Sequence, residues 1–160
     1  MTSVFVSGGT GAIGNEIVRR LVADGYEVEF SFCHSRDEAD DLLSQLGTRH
    51  HQIDYAGDWT PPAKPVDVLV NNAGVNLSGH GVSETSDDEL RSTLEINLMA
   101  PLRLARHYIP TMIDQGFGRI ININSLWGLS APAHRMSYAI SKFVSMAIEF
   151  RALAAMRTAR

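Results

Sequence analysis

Two side chains with complementary chemistry lie four residues apart near the C-terminal end of the sequence. In the segment "SYAISK" (137–142), Tyr138 carries a phenol and Lys142 carries an ammonium group. Because helical residues four apart lie on the same face, we expect the two side chains to stack. A phenol alone is a poor acid or base at neutral pH, but a nearby positive charge favours its ionised form. The pair therefore suits proton transfer, although an ordinary surface pair has the same spacing.

A glycine-rich segment near the N-terminus has a composition suited to phosphate binding. The segment "VSGGTGAIG" (6–14) lies between a predicted strand (3–7) and a predicted helix (13–25). Glycines allow the backbone to turn tightly and to approach a pyrophosphate, which a helix N-terminus attracts. This position predicts dinucleotide binding; a plain glycine-rich turn between strand and helix is the alternative.

The elements that must position these residues alternate between strand and helix. Short strand-like segments predict strands at 3–7, 27–32, 66–70 and 119–125, and the polar segment 50–54 is compatible with a further, short strand as the third of five. Apolar residues at helical spacing predict helices at 13–25, 36–47, 86–115 and 138–156. Ser86 followed by Glu89 predicts a capping box at the third helix. The segment 55–65 contains three prolines and cannot hold a full helix. The alternation predicts an α/β fold with a doubly wound parallel sheet of Rossmann type in three αβα layers.

Further motifs follow in a fixed order along the chain. The segment "VDVLVNNAG" (66–74) ends the fourth strand, "EIN" places Asn97 in the long helix, and Ser125 precedes Tyr138 by thirteen residues. With the glycine loop, these motifs resemble the short-chain dehydrogenase/reductase family. The loop of that family reads T-G-x-x-x-G-x-G. Here Ser7 replaces the threonine, and Ala12 replaces the middle glycine and adds a methyl group where a pyrophosphate would approach.

The resemblance implies a role for each residue of the catalytic set. Tyr138 would be the general acid/base, and Lys142 would favour its ionised form and hold the nicotinamide ribose. Ser125 would hydrogen-bond the substrate carbonyl, and Asn97 would hold a water that links Lys142 to solvent. The implied activity is hydride transfer between a nicotinamide cofactor and a carbonyl or secondary alcohol. The 3-oxoacyl reductases are the most similar subgroup, which suggests a 3-oxoacyl thioester as substrate.

The resemblance also implies which residues bind the cofactor and the substrate. The cofactor contacts would be Gly8, Thr10, Gly11, Ile13, Gly14, His34, Ser35, Arg36, Asp54, Asn72, Ala73, Gly74, Tyr138 and Lys142. The substrate contacts would be Ser125, Trp127, His134 and Tyr138.

The end of the second strand predicts NADP(H) rather than NAD(H). NAD-specific proteins place an acidic residue there, which accepts hydrogen bonds from the ribose 2′-hydroxyl. This sequence has Phe32 at that place, followed by His34, Ser35 and Arg36, which are donors suited to a 2′-phosphate.

Composition limits the other classes of function. The 160 residues fit a single NAD(P)-binding domain spanning 1–160, and the net charge of −4 does not suggest nucleic-acid or anionic-membrane binding. No segment is long and apolar enough for a membrane span. Cys33 is the one cysteine, so no internal disulfide can form and a reducing, cytoplasmic location is expected. His50 and His51 would point to opposite faces of a strand, and no metal site is expected.

The sequence departs from the family pattern in its length. The helix that normally precedes the fourth strand is replaced by the proline-rich segment, and the sequence ends within or just after the helix that carries Tyr138. The strand, cofactor loop and substrate lid expected after that helix do not follow. Two functions therefore stay open: an NADP-dependent oxidoreductase, or a truncated, non-catalytic nucleotide-binding or partner-binding protein. The apolar helices 86–115 and 138–156 predict a homo-oligomer, at least a dimer.

Overall fold

The computed structural model describes residues 1–77, 79, 81 and 83–158, with side chains up to Ala147. The chain divides into two compact units. The first comprises residues 1–73 and 103–121, and the second comprises residues 74–102 together with the chain from residue 122 onward. Each unit is described separately below.

The strands predicted from the apolar segments are present and belong to one sheet. Within the described residues the strands are β1 (Ser3–Val6), β2 (Glu27–Phe32), β3 (Arg49–Gln52), β4 (Val68–Asn71) and β5 (Arg119–Asn122). Their order is β3-β2-β1-β4-β5, and β1 pairs in parallel with both β2 and β4, as β2 does with β3. The α/β class with a doubly wound parallel sheet is thereby confirmed.

Helices cover the two faces of the sheet in the first unit. One face packs on α1 (Ala12–Ala23) and α2 (Arg36–Leu46), where Val18 and Leu42 are fully buried. On the other face, Tyr108 of α4 (Ala100–Asp114) lies 6.1 Å from the ring of Phe5, measured between ring centroids. Alternation along β1 therefore supplies apolar residues to both layers, as expected for a buried parallel sheet. Along β2, the apolar residues Val28, Phe30 and Phe32 share one face, and the other face carries Glu27, Glu29 and Ser31.

The proline-rich segment covers the sheet where the family pattern would have a helix. No helix occurs between β3 and β4, as predicted, yet Tyr55 and Trp59 are 5% and 7% exposed. Their rings pack edge to face at 4.8 Å, and the guanidinium of Arg103 lies 4.2 Å from the Trp59 ring centroid. Arg103 also donates a hydrogen bond to the Trp59 carbonyl, and Tyr108 donates one to the Pro62 carbonyl. Aromatic packing and hydrogen bonds thus hold this segment without a helix.

The predicted helix 86–115 is not continuous. It consists of α3 (Asp87–Leu94), a π-helical turn (Glu95–Met99) and then α4. Ser86 accepts a hydrogen bond from the Glu89 backbone N–H, so the predicted N-terminal cap is present. The last helix, α5 (Met136–Thr158), begins two residues earlier than predicted.

The fifth strand is shorter than the sequence predicted. It ends at Asn122, three residues before Ser125. Beyond that point the Lys142 ammonium donates a hydrogen bond to the Ile123 carbonyl, and the Ser145 hydroxyl donates one to the Asn124 side chain. These polar groups of the segment after β5 therefore bond to α5 side chains rather than continuing a strand.

Candidate active site

The glycine loop of the first unit requires glycine for two separate reasons. Gly8 has a φ of +70°, and a Cβ there would also lie 3.0 Å from the Ala73 Cα. At Gly14, a Cβ would lie 2.1 Å from the Gly8 carbonyl oxygen. A left-handed backbone and a close backbone contact both exclude larger residues. The predicted cofactor residues Gly8, Gly14 and Ala73 are therefore brought together by the loop's own packing.

The "NNAG" segment holds the loop through Ser7. The Ser7 hydroxyl accepts hydrogen bonds from the backbone N–H groups of Asn72 and Ala73, at 3.0 and 2.9 Å. The Asn72 amide in turn donates to the carbonyls of Ser7 and Gly8, each at 3.0 Å. Asn72, predicted as a cofactor residue, thus fixes the backbone of the glycine loop.

A serine of β2 holds the other side of the loop. The Gly8 N–H donates to the Ser31 hydroxyl at 3.1 Å, and the Gly9 N–H donates to the Ser31 carbonyl at 2.8 Å. The sequence analysis did not identify Ser31. Its signal was a small polar residue inside the buried strand "EVEFSF".

The N-terminus of α1 fits an anionic group. Its N-cap residue is Gly11, which offers no side-chain oxygen to the first-turn N–H groups, and that turn contains no acidic residue. Unpaired N–H groups and the helix dipole favour a phosphate at such a terminus. At Gly11 a Cβ would meet nothing closer than the Gly8 carbonyl oxygen at 3.5 Å, so the residues present fit the pyrophosphate of a dinucleotide at this terminus. Ile13 lies in this first turn and is 60% exposed.

The residues predicted to select NADP(H) lie at or just after the end of β2, and one of them contacts the end of β3. Arg36 lies over the Phe32 ring at 5.4 Å and donates a hydrogen bond to the Gln52 side chain. His34 is exposed, and its ring contacts the Cys33 thiol at 3.5 Å. Gln52 was not identified from the sequence, although it fixes the direction of the Arg36 guanidinium. Asp54, also predicted, is exposed and accepts the Ala56 N–H in its own turn.

In the second unit, Tyr138 and Lys142 stack as their spacing predicted. The Lys142 ammonium lies 5.8 Å from the Tyr138 ring centroid and donates a hydrogen bond to the Ile123 carbonyl at 2.8 Å. Lys142 is only 6% exposed, and this burial lowers the pKa of its ammonium group from the ordinary value of 10.5. The alternative interpretation, an ordinary surface pair of tyrosine and lysine, does not fit a buried lysine.

The segment after β5 places Ser125 and Trp127 against the same helix. Ser125 caps a short 3₁₀ turn (Leu126–Gly128), and its hydroxyl oxygen accepts the Trp127 N–H at 3.2 Å. This leaves the hydroxyl proton as a donor for a carbonyl oxygen. The Trp127 and Tyr138 rings meet edge to face at 5.9 Å. A Cβ at Gly128 would lie 3.0 Å from the Lys142 carbonyl carbon, so this turn packs tightly on α5.

His134, the remaining predicted substrate residue, has an unusual backbone. Its φ is +63°, a left-handed conformation that is uncommon outside glycine. The side chain is exposed, and a Cβ at Gly81 would lie 3.7 Å from its Nδ1 atom. His134 therefore lies in a sharp turn before α5, next to the loop that contains Gly81.

Asn97 joins the π-helical turn to α5 and to the segment after β4. Its side-chain oxygen accepts the Val75 N–H, and its amide donates to the Val75 carbonyl, both at 2.8 Å. The second amide proton goes to the Ser141 hydroxyl at 3.0 Å, and Ser141 donates to the Tyr138 carbonyl. Both amide protons of Asn97 are therefore used. The water that the resemblance implies between Asn97 and Lys142 would have to bind to the side-chain oxygen or to main-chain atoms of Asn97. Val75 and Ser141 were not identified from the sequence.

The histidine pair has partners other than a metal. His50 contacts Asp40 at 2.9 Å, and His51 contacts Glu29 at 3.0 Å. Within the described part of the chain, no group of three His, Cys, Asp or Glu side chains could hold a metal ion. In the same residues, no helix has the length and apolar character needed to cross a membrane.

A parallel sheet with a glycine loop at the first strand-to-helix turn is typical of a dinucleotide-binding α/β protein. The stacked tyrosine and lysine restrict the choice among the families of such proteins. The family model described as short chain dehydrogenase matches residues 2–156, and the chain belongs to that family.

Individual relatives agree with this family. The ketoacyl reductase HetN of Nostoc sp. is 41% identical over 78 residues, which cover 49% of this chain and 27% of that protein. The cyclic-di-GMP-binding biofilm dispersal mediator protein of Escherichia coli is 33% identical over 88% of this chain and 60% of its own length. The chain thus spans less than two thirds of both relatives.

A solved structure supports both the fold and the family. The blue fluorescent protein from a metagenomic library, in complex with NADPH, is 35% identical, with a TM-score of 0.82. The match covers 97% of this chain and 70% of that chain.

Proposed function

We propose that the protein is an NADP(H)-dependent oxidoreductase that transfers a hydride between the nicotinamide and a carbonyl or secondary alcohol. The observation that carries this proposal is the buried Lys142 stacked on Tyr138. Burying an ammonium group is costly unless it is compensated, and here one carbonyl, that of Ile123, accepts its hydrogen bond. A positive charge kept beside a phenol is what proton transfer by that phenol requires.

Each residue of the catalytic set has a distinct role in the proposal. When bound, the nicotinamide supplies or accepts the hydride. Tyr138 gives a proton to the carbonyl oxygen during reduction, and Lys142 stabilises the phenolate that remains. Ser125 donates a hydrogen bond to the same oxygen. Asn97 fixes the turn of α5 that carries Tyr138 through its contact with Ser141, and it would hold a water that links Lys142 to solvent.

We propose NADP(H) as the cofactor on two grounds. His34, Ser35 and Arg36 follow β2 without an acidic residue at its end, and the metagenomic relative is described in complex with NADPH. Calorimetric titration should show tighter binding of NADPH than of NADH. Binding of NADH at least as tight as that of NADPH would contradict this choice.

We propose 3-oxoacyl thioesters as the substrate class. The relative from Nostoc is described as a ketoacyl reductase. Leu126 begins and Leu129 follows the turn whose Trp127 ring contacts Tyr138, and their side chains, 81% and 68% exposed, offer apolar surface to an acyl chain. Trp127 and His134 would contact the substrate. Turnover of acetoacetyl-CoA should exceed that of simple ketones of the same chain length.

The direct test measures NADPH oxidation with a panel of ketones and 3-oxoacyl thioesters, beside NADPH binding alone. Turnover that depends on the carbonyl compound supports the proposal. Absence of turnover across the panel, with the protein folded, would overturn it.

A second candidate is a non-catalytic nucleotide-binding or partner-binding protein of the same fold. The relative from Escherichia coli is described as cyclic-di-GMP-binding, and the chain matches 60% of its length. NADPH or cyclic-di-GMP binding without any NADPH oxidation would favour this candidate. The single cysteine supports a reducing, cytoplasmic location for either function.

A further inference from the structure

One residue of β2 accepts hydrogen bonds from the amides of the first two glycines in the glycine loop. The Ser31 hydroxyl and carbonyl accept the N–H groups of Gly8 and Gly9, at 3.1 and 2.8 Å. Gly8 has a left-handed backbone, one of several conformations that glycine adopts readily, so these hydrogen bonds help to fix the orientation of its peptide. The orientation of the Ser31 hydroxyl therefore affects the loop directly.

That hydroxyl has a second partner in the proline-rich segment. The Tyr55 hydroxyl lies 2.8 Å from the Ser31 Oγ atom, and either oxygen can be the donor. Ser31 is fully buried and Tyr55 is 5% exposed. Buried hydroxyls depend on one another for hydrogen bonding because water does not reach them. Burial also raises the pKa of Tyr55, which keeps its hydroxyl protonated.

The position of the Tyr55 ring is itself fixed. Its edge packs on Trp59 at 4.8 Å, and Trp59 is covered by the Arg103 guanidinium at 4.2 Å. An unbroken series of contacts thus runs from α4 through the proline-rich segment to the glycine loop. All of these residues belong to the first unit.

We propose that Tyr55 is a positioning residue of the cofactor site, which acts through Ser31 on the Gly8 amide. This rests on the proposed function, because the loop is taken to bind NADPH. The proline-rich segment then supports cofactor binding as well as covering the sheet.

The test uses Tyr55→Phe, Ser31→Ala and the double variant in the full chain. Tyr55→Phe removes the hydrogen bond to Ser31, and we expect the loss of one net hydrogen bond to raise the NADPH dissociation constant ~3- to 10-fold. Because Tyr55 acts through Ser31, the double variant should bind no more weakly than Ser31→Ala. Tyr26→Phe is the matched control, since Tyr26 is 37% exposed and lies outside this series of contacts.

A second readout needs no cofactor. Amide hydrogen exchange, resolved by NMR, should be faster at Gly8 in Tyr55→Phe than in the parent, and unchanged in Tyr26→Phe. A lower unfolding temperature with the same Gly8 exchange and the same NADPH affinity would overturn the inference and leave Tyr55 a packing residue. If the parent fails to bind NADPH, the proposed function fails, and the exchange at Gly8 still decides the role of Tyr55.

Discussion

At the scale of single residues, the Tyr138 hydroxyl is the group whose removal tests proton transfer most directly. In Tyr138→Phe the ring and its edge contact with Trp127 can stay, whereas the proton donor is lost. We expect the rate of carbonyl reduction to fall by roughly 10²- to 10⁴-fold, with NADPH affinity nearly unchanged. Steady-state NADPH oxidation and a calorimetric titration measure the two effects.

The control for this variant is again Tyr26→Phe, which removes an equivalent hydroxyl from an exposed ring and should keep the parent rate. A Tyr138→Phe protein that reduces ketones as fast as the parent would show that Tyr138 is not the acid/base.

Lys142 makes stability depend on pH in a defined direction. Burial lowers the pKa of Lys142 in the folded chain below the ordinary value of 10.5, which applies to the unfolded chain. At pH values between the folded-state and the unfolded-state pKa, the unfolded chain therefore binds more protons than the folded chain. The unfolding free energy contributed by this group therefore rises with pH across that window. Relative to Lys142→Met, which has no ionisable group, the parent should gain stability as pH increases toward 10.5. Denaturant unfolding at several pH values measures this, and a pH-independent difference would contradict it.

The contact that spacing alone predicted is a local one, whereas Asn72 and Asn97, whose partners are distant in sequence, were identified only through the family resemblance. Tyr138 and Lys142 lie one helical turn apart, so their spacing alone predicts the contact. Ser31 bonds to a residue 24 positions away, and Asn97 bonds to one 22 positions away. Such hydrogen bonds depend on where the sheet and the loops place each backbone, which no local pattern encodes. Ser31 was therefore missed, and Asn97 was predicted with only part of its contacts.

At the scale of elements, hydrophobic periodicity located the helices but not their irregularities. A π-helical turn adds one residue to a turn, and a stripe of leucines three or four apart tolerates that addition. The turn at Glu95–Met99 consequently looked like ordinary helix. It places Asn97, which is 2% exposed, where its amide reaches Val75 and Ser141.

The proline-rich segment should contribute strongly to stability through Trp59. Trp59→Ala removes a ring that packs on Tyr55 and Arg103, and we expect the unfolding free energy to fall by ~3–5 kcal/mol. Trp127→Ala is the matched control because that ring is 39% exposed, and its loss should cost ~1 kcal/mol or less. Denaturant unfolding of both variants measures the contrast. Equal losses would show that the segment does not stabilise the fold through Trp59.

At the scale of the whole molecule, the alternation of short strand segments with helices was enough to predict the sheet, because strands joined by helices form βαβ units with parallel strands. Three prolines predicted that the segment between β3 and β4 lacks a full helix. Neither pattern predicted that Tyr55, Trp59 and Tyr108 would bury that segment, since aromatic contacts between a loop and a distant helix have no periodic signal.

Self-association is the prediction that belongs to the whole molecule. On α5, Ile140 and Phe143 are 43% and 62% exposed, which fits a helix face that meets a second copy. The predicted interface also includes Phe150, Leu153 and Ala154, whose side chains lie outside the described residues. Leu104 and Tyr108 do not extend it, because both are 1% exposed.

We expect light scattering to give at least twice the chain mass of 17.5 kDa at micromolar concentration. Phe143→Glu should shift the protein toward the monomer, because a carboxylate at the centre of an apolar interface is costly to bury. Leu43→Glu is the matched control: Leu43 is 43% exposed on α2, outside the predicted interface, and its replacement should leave the mass unchanged. A parent that scatters as a 17.5 kDa monomer at all concentrations would contradict the prediction. A dimer that is insensitive to Phe143→Glu would place the interface elsewhere than on this face of α5.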